Sequence, residues 1–413
     1  MNATTSTVTN PSTRGEVAVI AIVGYAHAVS HFFHLMIPPL FPWLMKDFDL
    51  SFTEAGFLMT VFFVVSGAGQ ALAGFVVDRI GARPVLFSGV LMLTLSGVAL
   101  GLAQNYPMLI LAAALAGAGN SVFHPADFTL LNHRVSLPRL GHAFSVHGLS
   151  GNLGWAAAPL LMTSVAVFAG WRMAGFAAAL VGVLALLLLY IGRDYLKVIP
   201  VVPAAPVTSA GSGSTAAILR SKPVWLCFSF FLLTTSAFGA LQNFSTASLQ
   251  NIYSLSLAAA ASCLIAYLLG GAGGIVVGGF IATRRAQDQI IAIGLSTGAV
   301  IGVLLATGIV PGWAALPLMA AMGACVGIAG PSRDLLVRKA ATQGLGAASY
   351  GRVYGFVYSG LDGGLALAPM IFGPLMDAGY FNALWIGVAL LQGFAIAAAL
   401  RVGRNAPQPV MAS

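Results

Sequence analysis

Three histidines, His27, His31 and His34, recur at intervals of four and three residues along the first long apolar stretch of the chain. At about 100° per residue, that spacing holds all three within a narrow arc of one helical face. Imidazole changes charge near neutral pH, so such a stripe can relay protons or bind an anion once protonated. All seven histidines, including His124, His133, His142 and His147, lie in the first half of the chain. The alternative for any one of them is a packing role, its ring hydrogen-bonded to a neighbouring helix; three on one face favour a functional stripe.

Other ionisable groups also sit in apolar surroundings, where they are costly and usually face a cavity or one another. In the run from Gly117 to Asp127, small residues permit close packing and Pro125 frees backbone carbonyls. His124 and Asp127 lie about one turn apart there and can interact directly. A lone carboxyl, Asp362, stands midway along a late apolar stretch, with Tyr354 and Tyr358 on the same stripe. A desolvated carboxyl of this kind can take up and release a proton. We therefore expect proton coupling from Asp362, His124 and Asp127. Substrate contacts are expected from His27, His31, His34, Asn152, Gln242, Asn243 and Tyr358. Gln70 and Asn120 serve equally well as interhelical ties. Arg333 and Asp334 suit a gate or an anion site at one end of the bundle, or an ordinary surface ion pair.

The elements that must position these residues follow from composition. Hydrophobic residues make up 58% of the 413-residue chain and charged residues 7%, with mean hydropathy +0.91; an ordinary soluble domain is about 25% charged. A bilayer span needs roughly 20 apolar residues, and twelve such stretches occur, centred near residues 30, 64, 94, 116, 155, 182, 236, 268, 297, 322, 362 and 390. The fold class is an all-α membrane protein of twelve transmembrane helices. With both termini cytosolic, every basic residue except Lys46 and Arg172 falls in a cytosolic segment, as membrane insertion prefers. The net charge of +8 is thus an orientation signal dispersed over short loops, and nucleic-acid binding is excluded. Cys227, Cys263 and Cys325 fall inside apolar stretches and read as packing residues. The polar start lacks a basic n-region and reads as a cytosolic tail rather than a signal peptide.

Residues 192–222, rich in Pro, Gly and Ser, divide the chain. The expected organisation is a tail at 1–15, a six-helix bundle at 16–191, the linker, a second bundle at 223–402 and a tail at 403–413. The halves repeat at an offset of about 205–210 residues: Gly74 matches Gly279, Pro125 matches Pro331 and Pro159 matches Pro369. A short linker and tails leave no room for a catalytic or signalling domain, and no phosphate-binding loop is present to power primary transport. Energy is expected from an ion gradient, with no cofactor.

This six-plus-six organisation resembles the major facilitator superfamily. Its signature G-x-x-x-D-R-x-G-R-R is met at Gly74, Asp78, Arg79, Gly81 and Arg83, with Ala82 departing from it. The resemblance implies two pseudo-symmetric bundles that rock about a midplane site. It also implies a gate in which Asp78, aided by Gly74, Arg79 and Arg83, latches the second helix onto the N-terminal end of the eleventh. The second copy carries Thr283 in place of the acid, so the latch is expected to be asymmetric. The fourth stretch, ending Phe123-His124-Pro125, resembles the fosmidomycin-resistance branch, whose members are proton-driven exporters of small antibiotics. That likeness implies proton-coupled efflux of a small organic, anionic or zwitterionic solute by a monomer in a bacterial inner membrane. Ala113 stands where many drug exporters place an arginine, and the fifth stretch keeps only Gly148, Gly151, Gly154 and a later Pro159; Asp362 is then the expected proton carrier. Uptake of an organic anion, or transition-metal export through the first-stretch histidines, are the alternatives. Metal export is the weaker, since imidazoles ligate divalent metals but no Cys or Glu lies near them in sequence. No metal site is expected.

Overall fold

The computed structural model describes residues 13–197, 220–281, 286–342 and 350–404. Among these residues the chain is helical with no strand, and twelve segments are long and apolar enough to cross a membrane. In chain order the first half holds α1 (Thr13–His34), α2 (Phe41–Phe48), α3 (Phe52–Ile80), α4 (Ala82–Gly101), α5 (Tyr106–Asn120), α6 (Phe123–Arg134), α7 (Leu137–Ala169) and α8 (Trp171–Ile191). The second holds α9 (Lys222–Tyr253), α10 (Leu257–Ile281), α11 (Gln287–Thr307), α12 (Ala315–Thr342), α13 (Tyr350–Asp377) and α14 (Phe381–Arg404). Most of the linker and both tails lie outside the described residues.

Proline shapes the two broken spans. Pro38 and Pro39 make a 3-10 turn between α1 and α2, and Pro125 sits in the first turn of α6, where a missing N–H leaves no helical bond unmade. A capping box starts α3: the Ser51 side chain accepts from Glu54 N while the Glu54 carboxylate accepts from Ser51 N. A single residue, Gly81, joins α3 to α4 at φ +88°, a backbone conformation that glycine adopts without a steric penalty. This is the second glycine of the G-x-x-x-D-R-x-G-R-R signature, whose charged residues Arg79 and Arg83 flank the turn between the two helices.

The two halves pack by the same plan. In the first, α1 lies on α7, α4 on α8 and α5, and α3 on α5; in the second, α9 lies on α13, α11 on α14 and α12, and α10 on α12. The repeat extends to a close approach that needs glycine. A Cβ on Gly117 would stand 2.3 Å from the Phe62 carbonyl oxygen, and one on Gly323 would stand 1.9 Å from that of Tyr267. Gly117 and Gly323 are 206 residues apart and Phe62 and Tyr267 are 205, so each bundle has an equivalent backbone-to-backbone seam.

Contacts between halves run chiefly along α3 with α13 and α7 with α10. We call the end of the bundle holding Thr13 and Arg404 the near end. At the far end, Asp377 closes α13 onto the start of α3. Its carboxylate accepts from Phe52 N at 2.5 Å, from Thr53 N at 3.0 Å and from the Thr53 hydroxyl. Going inward, Gly56 meets Pro369, Thr60 Oγ1 donates to the Ala366 carbonyl at 2.8 Å, and Gly67 meets Asp362. At Gly74, nearer the other end, no described residue lies within 4 Å of a Cβ position. Among the described residues, α3 and α13 thus meet from the far end inward as far as Gly67 and Asp362.

Candidate substrate and proton site

The histidine stripe of α1 meets side chains from α6 and α7. His27 stacks on His147 with ring centroids 3.5 Å apart. Both approach one carboxylate: His27 Nδ1 lies 3.4 Å and His147 Nε2 3.1 Å from Asp127 Oδ2. All three side chains are buried, Asp127 wholly so. Gly151 of α7 makes the space, since a Cβ there would stand 2.7 Å from His31 ring atoms and 3.1 Å from His27 Nε2. The sequence pairs Asp127 with His124 on its own helix. The structure instead bonds Asp127 to His147, and brings His124 Nδ1 within 2.9 Å of Gln70 Oε1 on α3. Packing of α7 and α3 against α6 decides this, because each supplies a partner at hydrogen-bond distance.

His34 is already occupied. The Trp155 indole N–H donates to its Nδ1 at 3.3 Å, so the proton is on Nε2, which donates to Asn120 Oδ1 at 2.8 Å. Asn120 also accepts from Ser30 Oγ and donates to Ser66 Oγ. This knot ties α1, α3, α5 and α7, which fits the interhelical role the sequence allowed for Asn120 and withdraws His34 from free contact with solute. His31 stacks on His34 and against Trp155, which packs edge-on to Phe238 of the other half.

Asp362 lines a cavity of about 340 Å³ between the bundles, with Phe63, Val64, Gly67 and Gln70 on one wall and Ser359, Gly363 and Ala366 on the other. Gln70 thus belongs at once to the cavity and to the His124 bond. Gln242 and Asn243 line a different cavity, of about 210 Å³, with Pro39, Phe52, Pro159 and Thr163. Each keeps one polar atom without a hydrogen-bond partner, Gln242 Nε2 and Asn243 Oδ1. The sequence reading expects these amides to contact substrate; they line this cavity and not the one lined by Asp362. Asn152 donates to the Gly148 carbonyl of its own helix, and Tyr358 packs on Phe231.

The gating residues are scattered in this conformation. Among the described residues nothing lies within 4 Å of a Gly74 Cβ, Arg79 is exposed, and Arg83 reaches the Arg193 carbonyl at 3.5 Å. The Arg333 guanidinium lies over the Phe231 ring at 4.7 Å. The side chains of Asp78, Asp334 and Tyr354, and all of Thr283, lie outside the described residues. Sequence reasoning missed His147 as the partner of Asp127, Gly151 as the space for the rings, and Asp377 as an interbundle contact. A glycine ladder four and seven residues after His147 was the available signal for the first two; Asp377 binds a helix 325 residues away in sequence and carries no local signal.

Two matching helical bundles, twelve spans and a polar cavity on the seam define a multi-pass membrane carrier. Residues 23–369 match the Major Facilitator Superfamily, and the chain belongs to that family of transporters. It is a transporter of a small solute and not an enzyme. It is 28% identical to the fosmidomycin resistance protein of Escherichia coli, over 72% of each chain. It is 24% identical to an uncharacterized MFS-type transporter of Bacillus subtilis, over 70% of each. A probable nitrate/nitrite transporter of Mycobacterium tuberculosis is 24% identical across 96% of this chain and 98% of its own.

Proposed function

We propose that this protein is a proton-coupled exporter of a small organic, anionic or zwitterionic solute in a bacterial inner membrane, with both termini cytosolic. The observation that carries the reading is Asp362 and Gln70 lining one cavity between the bundles, with Gln70 bonded to His124. A carboxyl group on α13 and an imidazole reached through α3 then respond to the same space, so a proton and a solute can compete for it. The likeness to a fosmidomycin resistance protein supports removal of a small organic compound from the cell. Metal export through His27, His31 and His34 has less support, since both ring nitrogens of His34 are engaged. Uptake of an organic anion is the second reading, and the nitrate/nitrite relative supports only that the solute is an anion.

The test is proton movement in everted vesicles carrying a pH gradient, challenged with fosmidomycin and then with a panel of small organic anions and cations. Export predicts dissipation of the gradient by an organic compound, lost in Asp362→Asn while the protein remains folded. Retention of full concentrative transport by that variant removes Asp362 from the mechanism, and solute-driven proton movement of the opposite sense supports uptake.

A further inference from the structure

The nest of His27, Asp127 and His147 lies inside the first bundle, away from both cavities described above, and is closed: the three residues are 3%, 0% and 5% exposed. Two of its polar atoms, His27 Nδ1 and Asp127 Oδ1, have no hydrogen-bond partner. A buried carboxylate beside an unpartnered imidazole nitrogen is costly unless a cation, a proton or a water joins it, and a carboxylate that binds an ion through both oxygens leaves neither unpaired. We propose that these three side chains bind a divalent transition-metal ion, with zinc as the reference case, which ties α1, α6 and α7 together.

The donor spacing suits such an ion, which the two rings would meet by turning out of the stack that holds their centroids 3.5 Å apart. Zinc holds imidazole nitrogen at about 2.0–2.1 Å and carboxylate oxygen at about 2.0–2.2 Å in a tetrahedron, so neighbouring donors stand roughly 3.3–3.5 Å apart. Here the two nitrogen-to-Oδ2 separations are 3.4 and 3.1 Å, and the three donor atoms lie within 4.8 Å of one another. A set of two imidazoles and one carboxylate is a borderline-soft set that takes zinc, cobalt or nickel in preference to calcium or magnesium. A second triad, His27, His31 and His124, also brings its donors within 4.8 Å. It offers no anion to offset the ion's charge, so the site is assigned to the triad with the carboxylate. Enclosure makes the ion a resident and not a cargo. The inference stands apart from the transport reading, because neither cavity contributes a ligand.

Metal-stripped protein in detergent would be titrated with zinc by calorimetry and with cobalt by visible absorption. Expected are one ion per chain, ligand-field bands of low-symmetry cobalt, and a rise in melting temperature. Asp127→Asn and His147→Gln each weaken zinc binding at least tenfold, while His142→Gln, an exposed histidine on α7, leaves it unchanged. Should either variant fail to fold, X-ray absorption of the zinc-loaded wild type decides: a shell of nitrogen and oxygen with two imidazoles supports the site. No saturable binding, binding unaltered in both folded variants, or a sulfur-containing shell overturns it, the last by moving the ion to a cysteine. In the first of these outcomes a proton or a buried water satisfies Asp127.

Discussion

Replacing Asp377 by asparagine should release the far end of the transporter. The carboxylate draws together the two halves by accepting from Phe52 N, Thr53 N and the Thr53 hydroxyl at the first turn of α3. Hydrogen bonds to a charged group contribute about 1.5–3 kcal/mol each when well shielded. A negative charge at a helix N-terminus adds about 0.3–1 kcal/mol. Asparagine keeps one accepting oxygen but turns an N–H₂ toward the remaining donors and removes the charge. Asp377 is exposed, so water screens much of the difference. A net loss of about 1–2 kcal/mol remains, which shifts the equilibrium toward an open far end by roughly 5- to 30-fold. Two states that interconvert during transport differ by only a few kcal/mol, so a shift of this size changes populations visibly. The assay is pulsed electron-spin distance measurement in a background with Cys227, Cys263 and Cys325 replaced. Spin labels go at Gln104 and Ile309, exposed positions in the far-end loops of the two halves. Asp377→Asn should add a longer-distance population. An unchanged distribution in a folded, transport-competent variant refutes the latch assignment.

Two further outcomes follow from close contacts. Gln70→Leu removes the partner of His124 Nδ1 and a polar wall of the Asp362 cavity; proton-coupled transport in vesicles should fall several-fold with little change in melting temperature, and unaltered transport would detach His124 from the cavity. Gly323→Val places a Cβ 1.9 Å from the Tyr267 carbonyl oxygen, and overpacking of this kind costs about 1–3 kcal/mol or more, so the melting temperature should drop by several degrees. Gly279→Ala, with open space around its Cβ, should leave melting unchanged, and equal effects of the two substitutions would sink the account of the glycine seam.

The motif residues show how far sequence reaches. Gly81 was legible as a turn because its requirement is local, a positive φ between two helices with no spare residue. Whether the Gly74–Arg83 segment latches depends on which end of the bundle is closed, a property of the assembled helices and not of the segment. The histidine stripe was legible as a shared face, yet its members divide between a saturated hydrogen-bonded knot at His34 and an unsatisfied nest at His27.

By itself the sequence determined the membrane class, the twelve spans and the twofold repeat. Hydropathy over about 20 residues and recurrence at a fixed offset are properties read along the chain. Tertiary structure alone decided that Asp127 meets His147, that Gln70 links His124 to the Asp362 cavity, and that Asp377 binds the start of α3. Those pairings depend on how each helix is rotated about its axis and where it crosses its neighbours. When nearly every position is apolar, periodicity carries almost no information about either.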